Sequence, residues 1–240
     1  MSAPIKGVDL ASWQHPDNKP IDWPEVKKAG VAFAIIKATQ GDSYTNPWLK
    51  RDLAEARAAG ILVGAYHFYE TGVPPTEQAE YFTSSLVGEV LPLGVWIDWE
   101  PPAVADWTVT GDYNAMVEEI EKARNPVGLY VDQSWHQIFT RLNAVIKRLW
   151  LATLGVETCP PGVFIWQHAK GEVTGIEGEV DLDQLMSTRG INLPSVPHPK
   201  VAGDVPSEVT QPPESVRASE GPAGASADYK AAQTHPPVKP

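Results

Sequence analysis

The chain has 240 residues, a formal net charge of −11, 23 prolines, nine tryptophans and one cysteine. That length holds one large domain, or a domain with a tail. The acidic balance argues against nucleic acid as the main partner and gives no attraction to an anionic membrane; with Cys159 alone there is no intramolecular disulfide and no cysteine-based metal cluster.

Apolar strand-like runs alternate with helix-like runs, the signature of a parallel α/β sheet or barrel. The first strand is expected over residues 5–10 and carries Asp9 near its end. A helix follows, with Asp22 as cap, Pro24 in its first turn, Glu25 completing a capping box and Gly30 ending it. Residues 31–36 read as a second buried strand running out near Lys37 and Thr39, and Asn46-Pro47 starts a helix that reaches Gly60. Residues 61–68 form a third strand, and a helix is expected over 75–86. The fourth strand, 95–100, is followed by a helix over 112–124, a strand over 126–131 and a short helix over 135–142. Three strands without helices then close the pattern, at 148–152, 162–167 and 180–185. The pattern predicts an irregular TIM-like α/β barrel of about eight strands and five helices.

No tryptophan lies after Trp166, and ten prolines fall within residues 191–240. Such a segment buries too little surface to offset its ordering entropy. The expected division is therefore a folded unit over 3–190 and a disordered Pro/Ala/Ser-rich tail over 191–240. The N-terminal residues carry no apolar stretch of signal-peptide length, and no run is long enough to span a bilayer. The chain is thus expected to be made in a cytoplasm and to need release for action outside it.

The chemistry concentrates on Val95-Trp96-Ile97-Asp98-Trp99-Glu100, bounded by Gly94 and Pro101-Pro102. Strand alternation puts Trp96, Asp98 and Glu100 on one side. Two carboxylates two residues apart, about 6.5 Å along one face, raise each other's pKa or must find donors. One environment then holds a protonated acid beside an ionised partner, as glycoside hydrolysis needs. Asp9, Tyr66, His67, Tyr130, Trp166, Gln167 and Asp181 also collect at strand ends, which in a parallel barrel meet at one face. Carboxylates with aromatic rings suit a neutral sugar polymer: rings stack on pyranoses and carboxyls bond hydroxyls or protonate the leaving oxygen.

An ordered series of stretches spans nearly all of residues 5–185: Gly7-Val8-Asp9-Leu10-Ala11-Ser12-Trp13-Gln14, Ile21-Asp22-Trp23, Ile35-Ile36-Lys37-Ala38-Thr39, Gly64-Ala65-Tyr66-His67-Phe68, Gln78-Ala79, Asp98-x-Glu100, Leu129-Tyr130, Trp150-Leu151-Ala152, Trp166-Gln167 and Val180-Asp181-Leu182. In these the chain resembles the family-25 glycoside hydrolases, the lysozyme family of many phage endolysins and bacterial autolysins. The resemblance implies cleavage of the β-1,4 bond between N-acetylmuramic acid and N-acetylglucosamine in the glycan strands of peptidoglycan. It implies Glu100 as general acid, and Asp98 as the carboxylate that stabilises charge at the anomeric carbon or orients the 2-acetamido group. Asp9 and Asp181 match its further acidic residues, Tyr66 and Tyr130 its lining aromatics; Trp166 is carried with them as substrate-binding. No metal or other cofactor is implied. An endolysin role in host lysis is the expected setting, with room for a separate wall-binding or release partner. One departure stands out: the family usually carries Glu after the Ala-Thr pair, where this chain has Gln40.

Other residues have simpler readings. His67 is expected to be a hydrogen-bonded structural histidine, Asp183 solvated or capping, and Trp13, Trp23, Trp48 and Trp150 packing residues. His15, His136 and His168 show no metal-ligand spacing. Two other functions compete: a catalytically weakened peptidoglycan-binding relative of the same fold, against which the intact Asp98-x-Glu100 pair argues, and a metal-dependent barrel hydrolase, for which convergent ligands are lacking.

Overall fold

The computed structural model describes residues 4–100, 108–124 and 126–191. Contacts divide the chain into Met1–Leu193 and Pro194–Pro240. The expected tail from residue 192 onward, and Pro101-Pro102, lie outside the described residues.

Five β/α units come first: β1 Ile5–Leu10, α1 Trp23–Lys28, β2 Phe33–Gln40 with the two-residue β3 Tyr44–Thr45, α2 Leu49–Ala58, β4 Leu62–Phe68, α3 Pro75–Ser85, β5 Val95–Asp98, α4 Thr108–Glu121, β6 Val127–Asp132 and α5 Gln133–Arg141. Strands β7 Leu149–Ala152, β8 Ile165–Glu172 and β9 Glu179–Leu185 follow without helices. The order β1-β9-β8-β7-β6-β5-β4-β2, closed by β1 on β2, makes an eight-stranded barrel with β3 hanging on the end of β2. All barrel pairings are parallel except those of β9, which runs antiparallel to both β8 and β1.

Strand alternation divides the apolar residues into two cores. Val8, Ile36, Val63, Ile97, Leu129 and Leu151 point outward, against the helices. Phe33, Ile35, Tyr66, Trp96, Tyr130, Trp150 and Ile165 point inward and fill the barrel. Glycine makes that filling feasible: a Cβ on Gly128 would stand 2.2 Å from the Trp96 ring, and one on Gly7 2.2 Å from Phe33. Trp96 in turn meets Trp150 edge-on at 5.9 Å and Phe164 at 6.0 Å. Trp99, on the opposite face, stacks on Tyr69 at 3.8 Å, so both indoles flanking Asp98 are core.

The element boundaries differ from expectation in places that have local causes. Asp22 caps α1, accepting from Glu25 N–H at 3.1 Å, but the capping box is only half formed. Its own N–H donates to the Gly175 carbonyl (2.8 Å), and the Glu25 carboxylate pairs with Lys28 at 2.5 Å. Helix α4 begins before Asp112, which sits inside it and accepts from Tyr69 OH (2.9 Å). Helix α5 starts earlier too, capped by Asp132, which accepts from Trp135 N–H at 2.8 Å. Strand β8 starts later and runs longer, because Ala169–Glu172 continue the ladder with Leu182–Glu179 through residues too polar to read as a strand.

Candidate active site

The barrel's inward alternation changes character at one rim. Below it is aromatic; at the C-terminal ends of the parallel strands it becomes charged. Asp9 comes from β1, Lys37 from β2, Asp98 from β5 and Gln167 from β8. Asp181 arrives differently from expectation. It lies near the N-terminal end of β9, and reaches the rim because β9 is antiparallel, in register opposite Asp9.

Strand β5 ends at Asp98, so Glu100 stands two residues beyond it. The backbone there stays tied: Tyr69 N–H donates to the Asp98 carbonyl at 2.9 Å and Trp99 N–H to the Tyr130 carbonyl at 3.0 Å. Asp98 is buried and Glu100 half-buried. The two carboxyls are close enough to shift each other's protonation. Burial pushes Glu100 up to about 7, with the nearby charges of Asp132 and Asp181 adding to it and Lys37 opposing. Asp98 is raised too, by burial and then by Glu100. Asp9, Asp98, Glu100 and Asp181 thus share this end of the barrel with the buried Lys37, and burial and repulsion from neighbouring carboxylates raise all four carboxyls.

Asp9 is likewise raised, by burial and by Asp181. Gln167 links it to an aromatic, donating to Asp9 Oδ2 at 2.9 Å and accepting from Tyr130 OH at 3.0 Å. Tyr130 and Tyr66 both lie in the inner core and meet Trp150 edge-on at 4.6 and 6.2 Å. Asp181 is raised by burial, against the pull of Lys170 at 3.7 Å. Trp166 is not brought to this cluster. It faces outward on β8, within the outer core, and its indole N–H donates to Thr153 Oγ1 at 2.6 Å. The next residue, Gln167, takes the inward position.

Three further residues, Asp183, Lys37 and Gln40, take places at the site that differ from or go beyond the expectation. Asp183 is neither solvated nor capping: it is 1% exposed, accepts from Trp150 Nε1–H at 2.8 Å, and is raised by burial and Asp9. The two-residue spacing that singles out Asp98 and Glu100 applies equally to Asp181 and Asp183, and was the available signal. Lys37 continues the inward series Phe33, Ile35, and a lysine ending so apolar a strand is itself informative. Burial lowers it to about 8, with Asp98, Glu100 and Glu70 opposing. Gln40 accepts from Lys37 Nζ at 2.5 Å and donates to Glu70 Oε1 at 2.7 Å. A carboxylate therefore stands one side chain beyond Gln40.

His67 behaves as a structural residue. Gln78 Oε1 is an acceptor for Glu70 N–H (2.8 Å), so the ring's Nε2 donates to it at 3.1 Å, and Nδ1 accepts from Thr39 Oγ1 at 2.7 Å. Burial pushes its pKa down to about 4, keeping it neutral. Among the described residues no group of three His, Cys, Asp or Glu side chains is arranged to hold a metal ion.

Residues 8–176 match the family model described as Glycosyl hydrolases family 25. The chain belongs to glycoside hydrolase family 25. Its relatives in this family include Lysozyme M1 of Streptomyces globisporus, 32% identical over 200 residues, covering 74% of this chain and 66% of that protein. A lysozyme of Lactococcus phage mv1 is 27% identical over 166 residues, covering 61% of this chain and 77% of that one. Among solved structures, a bacterial lysozyme from Streptomyces coelicolor superposes with a TM-score of 0.65 at 29% identity, covering 80% of this chain and 98% of that one. The match spans just under two thirds of the length of Lysozyme M1.

Proposed function

We propose that this family-25 chain hydrolyses peptidoglycan at the β-1,4 bond between N-acetylmuramic acid and N-acetylglucosamine. The observation that carries this reading is Glu100, half-buried, with a pKa near 7 and Asp98 beside it. Glu100 gives its proton to the glycosidic oxygen. The C1–O bond breaks with its electron pair going to that oxygen. Positive charge develops at C1 and the ring oxygen, where Asp98 and the other carboxyls of the rim stabilise it. Water then supplies the hydroxyl at C1, and its second proton restores Glu100. Asp9, Asp181, Tyr66 and Tyr130 bind and orient the sugars; Gln167, holding Asp9 and Tyr130 together, joins them in place of Trp166.

The finer reading is an endolysin that reaches the wall after release from the cell, supported by the likeness to the phage lysozyme. Residues 3–190 form the catalytic unit and 191–240 a tail; the composition of the two segments supports that division. Mass spectrometry of purified peptidoglycan after digestion tests the bond assignment. New reducing ends at N-acetylmuramic acid are expected; new ends at N-acetylglucosamine would make the enzyme a different glycosidase, and an intact polymer would favour a binding protein.

A further inference from the structure

Lys37 is 3% exposed, lies among the rim carboxyls and takes no part in the hydrolytic steps. Its setting begins with a fault in β2. The pairing of β2 with β4 slips between Lys37 and Thr39: Lys37 stands opposite Tyr66 and Thr39 opposite His67, with Ala38 passed over. Strict alternation from Lys37 would turn Thr39 inward and Gln40 outward. The bulge reverses both. Thr39 Oγ1 bonds His67 Nδ1 at 2.7 Å, and that ring faces Phe82 of α3 at 5.4 Å. Gln40 comes to the side of Lys37 and accepts from its Nζ at 2.5 Å. Bulges beside active sites re-aim side chains in this way.

The Gln40 amide has one workable orientation. An ammonium only donates and a carboxylate only accepts, so Oε1 must face Lys37 and Nε2 must face Glu70, whose Oε1 accepts at 2.7 Å. Glu70 is fixed by its backbone: the buried Gln78 accepts from its N–H at 2.8 Å and donates to its carbonyl at 2.9 Å. Gly41 leaves the carboxylate its room, since a Cβ there would stand 2.4 Å from Glu70 Oε2. Lys37 Nζ also lies 4.7 Å from the centre of the Phe68 ring and 5.6 Å from that of Tyr44. Phe68 pairs with Gln40 on one side and with Asp98 on the other. A line of groups therefore runs from Gln78 through Glu70, Gln40 and Lys37 toward Asp98 and Glu100.

We propose that Glu70 and Gln40 are positioning residues for hydrolysis: they hold the Lys37 ammonium charged and in place beside Asp98 and Glu100, so that this pair carries one proton to give and one negative charge to meet C1. This role rests on the glycosidase reading of the rim. Lys37 is faced by Asp98 and Glu100 of the β5 end and by Glu70, with the neutral His67 behind. Glu100 is faced by Asp98, Lys37, Asp181 of β9, and Asp132 and Tyr130 of β6; Asp98 is faced also by Asp9 of β1. The ammonium favours ionisation of the pair, whereas the surrounding carboxylates oppose it. Without the ammonium, both protons of the pair stay on to higher pH. Without the Glu70 charge, Lys37 gives up its own proton at lower pH, with the same consequence in weaker form.

The test is a pH series of kcat/KM on purified peptidoglycan for the wild type, Lys37→Met and Glu70→Gln, with the melting temperature of each followed over the same range. The acid limb reports loss of the pair's first proton and the alkaline limb loss of its second. Both limbs are expected to move to higher pH, by about one unit in Lys37→Met and by less in Glu70→Gln. Limb position is the deciding readout, because damaged packing lowers kcat/KM at every pH without moving the limbs. Limbs that stay at their wild-type pH in a folded, active Lys37→Met overturn the proposal. So does a displacement in Lys37→Met that Glu70→Gln does not share. Where Lys37→Met fails to fold or turn over, Glu70→Gln decides alone: displaced limbs support the proposal and unmoved limbs overturn it. A wild type that releases no reducing ends removes the glycosidase reading and this proposal with it; cleavage whose limbs ignore both substitutions sinks the proposal alone.

Discussion

A side chain that must release a proton at neutral pH needs a pKa close to that pH, and Glu100 has one, at about 7. Its cause is burial at the end of β5, reinforced by the carboxylates of Asp132 and Asp181. Because the protonated form does the work, activity is present below that value and lost above it. A pH series of kcat/KM is expected to fall about tenfold per unit above roughly pH 7; a flat profile between pH 6 and 9 would remove Glu100 from the acid role. Much of this site was legible in the sequence. Asp9, Tyr66, Asp98 and Tyr130 share the inward alternation of their strands, and alternation needs no tertiary knowledge. Gln167 and Trp166 show the limit: both end an apolar run, and only the register of β8 decides which one faces in. The burial of Asp183 is not legible in the sequence, because a strand carrying two acids looks solvated until its neighbours enclose it.

At the scale of elements, the barrel interior depends on where strands lack side chains. Gly128 on β6 gives its space to Trp96 of β5, whose ring is walled by Trp150 and Phe164. Gly128→Ala drives a methyl group into an indole that has nowhere to go. The expected cost is about 1–3 kcal/mol, read as a melting temperature several degrees lower. An unchanged melting temperature would show that the interior yields more easily than its packing suggests. The five β/α units were readable because each pairs a continuous apolar run with a helical period and a cap or glycine stop. The antiparallel course of β9 was not readable, since direction is set by which edges remain to be closed. Nor was β3, two residues long and below any pattern. The starts of α4 and α5 were not readable because Asp112 and Asp132 find their hydrogen-bond partners only in the folded chain: Tyr69 for the one, the first turn of α5 for the other.

At the scale of the whole molecule, the charged rim is held at a cost that depends on pH. Asp9, Asp98, Asp183 and Glu100 all have folded pKa values above their ordinary ones, Glu100 moving from 4.5 to about 7. The folded state therefore binds more protons than the unfolded state across that window, and stability falls as pH rises through it. Asp181 is raised in the same sense, while His67, lowered to about 4, and His136 and His168, also lowered by burial, act against the carboxyls. The melting temperature is expected to decline from pH 5 to pH 7.5; a rise over that range would contradict the account of the buried carboxyls. The measurement that bears most directly on the central claim is digestion of purified peptidoglycan by Glu100→Gln beside the wild type, with the folding of both followed by melting at pH 5 and pH 8. The variant is expected to fold, to gain melting temperature relative to the wild type as pH rises, and to release reducing ends roughly 10²–10⁴-fold more slowly. A folded Glu100→Gln that hydrolyses at the wild-type rate would contradict the account.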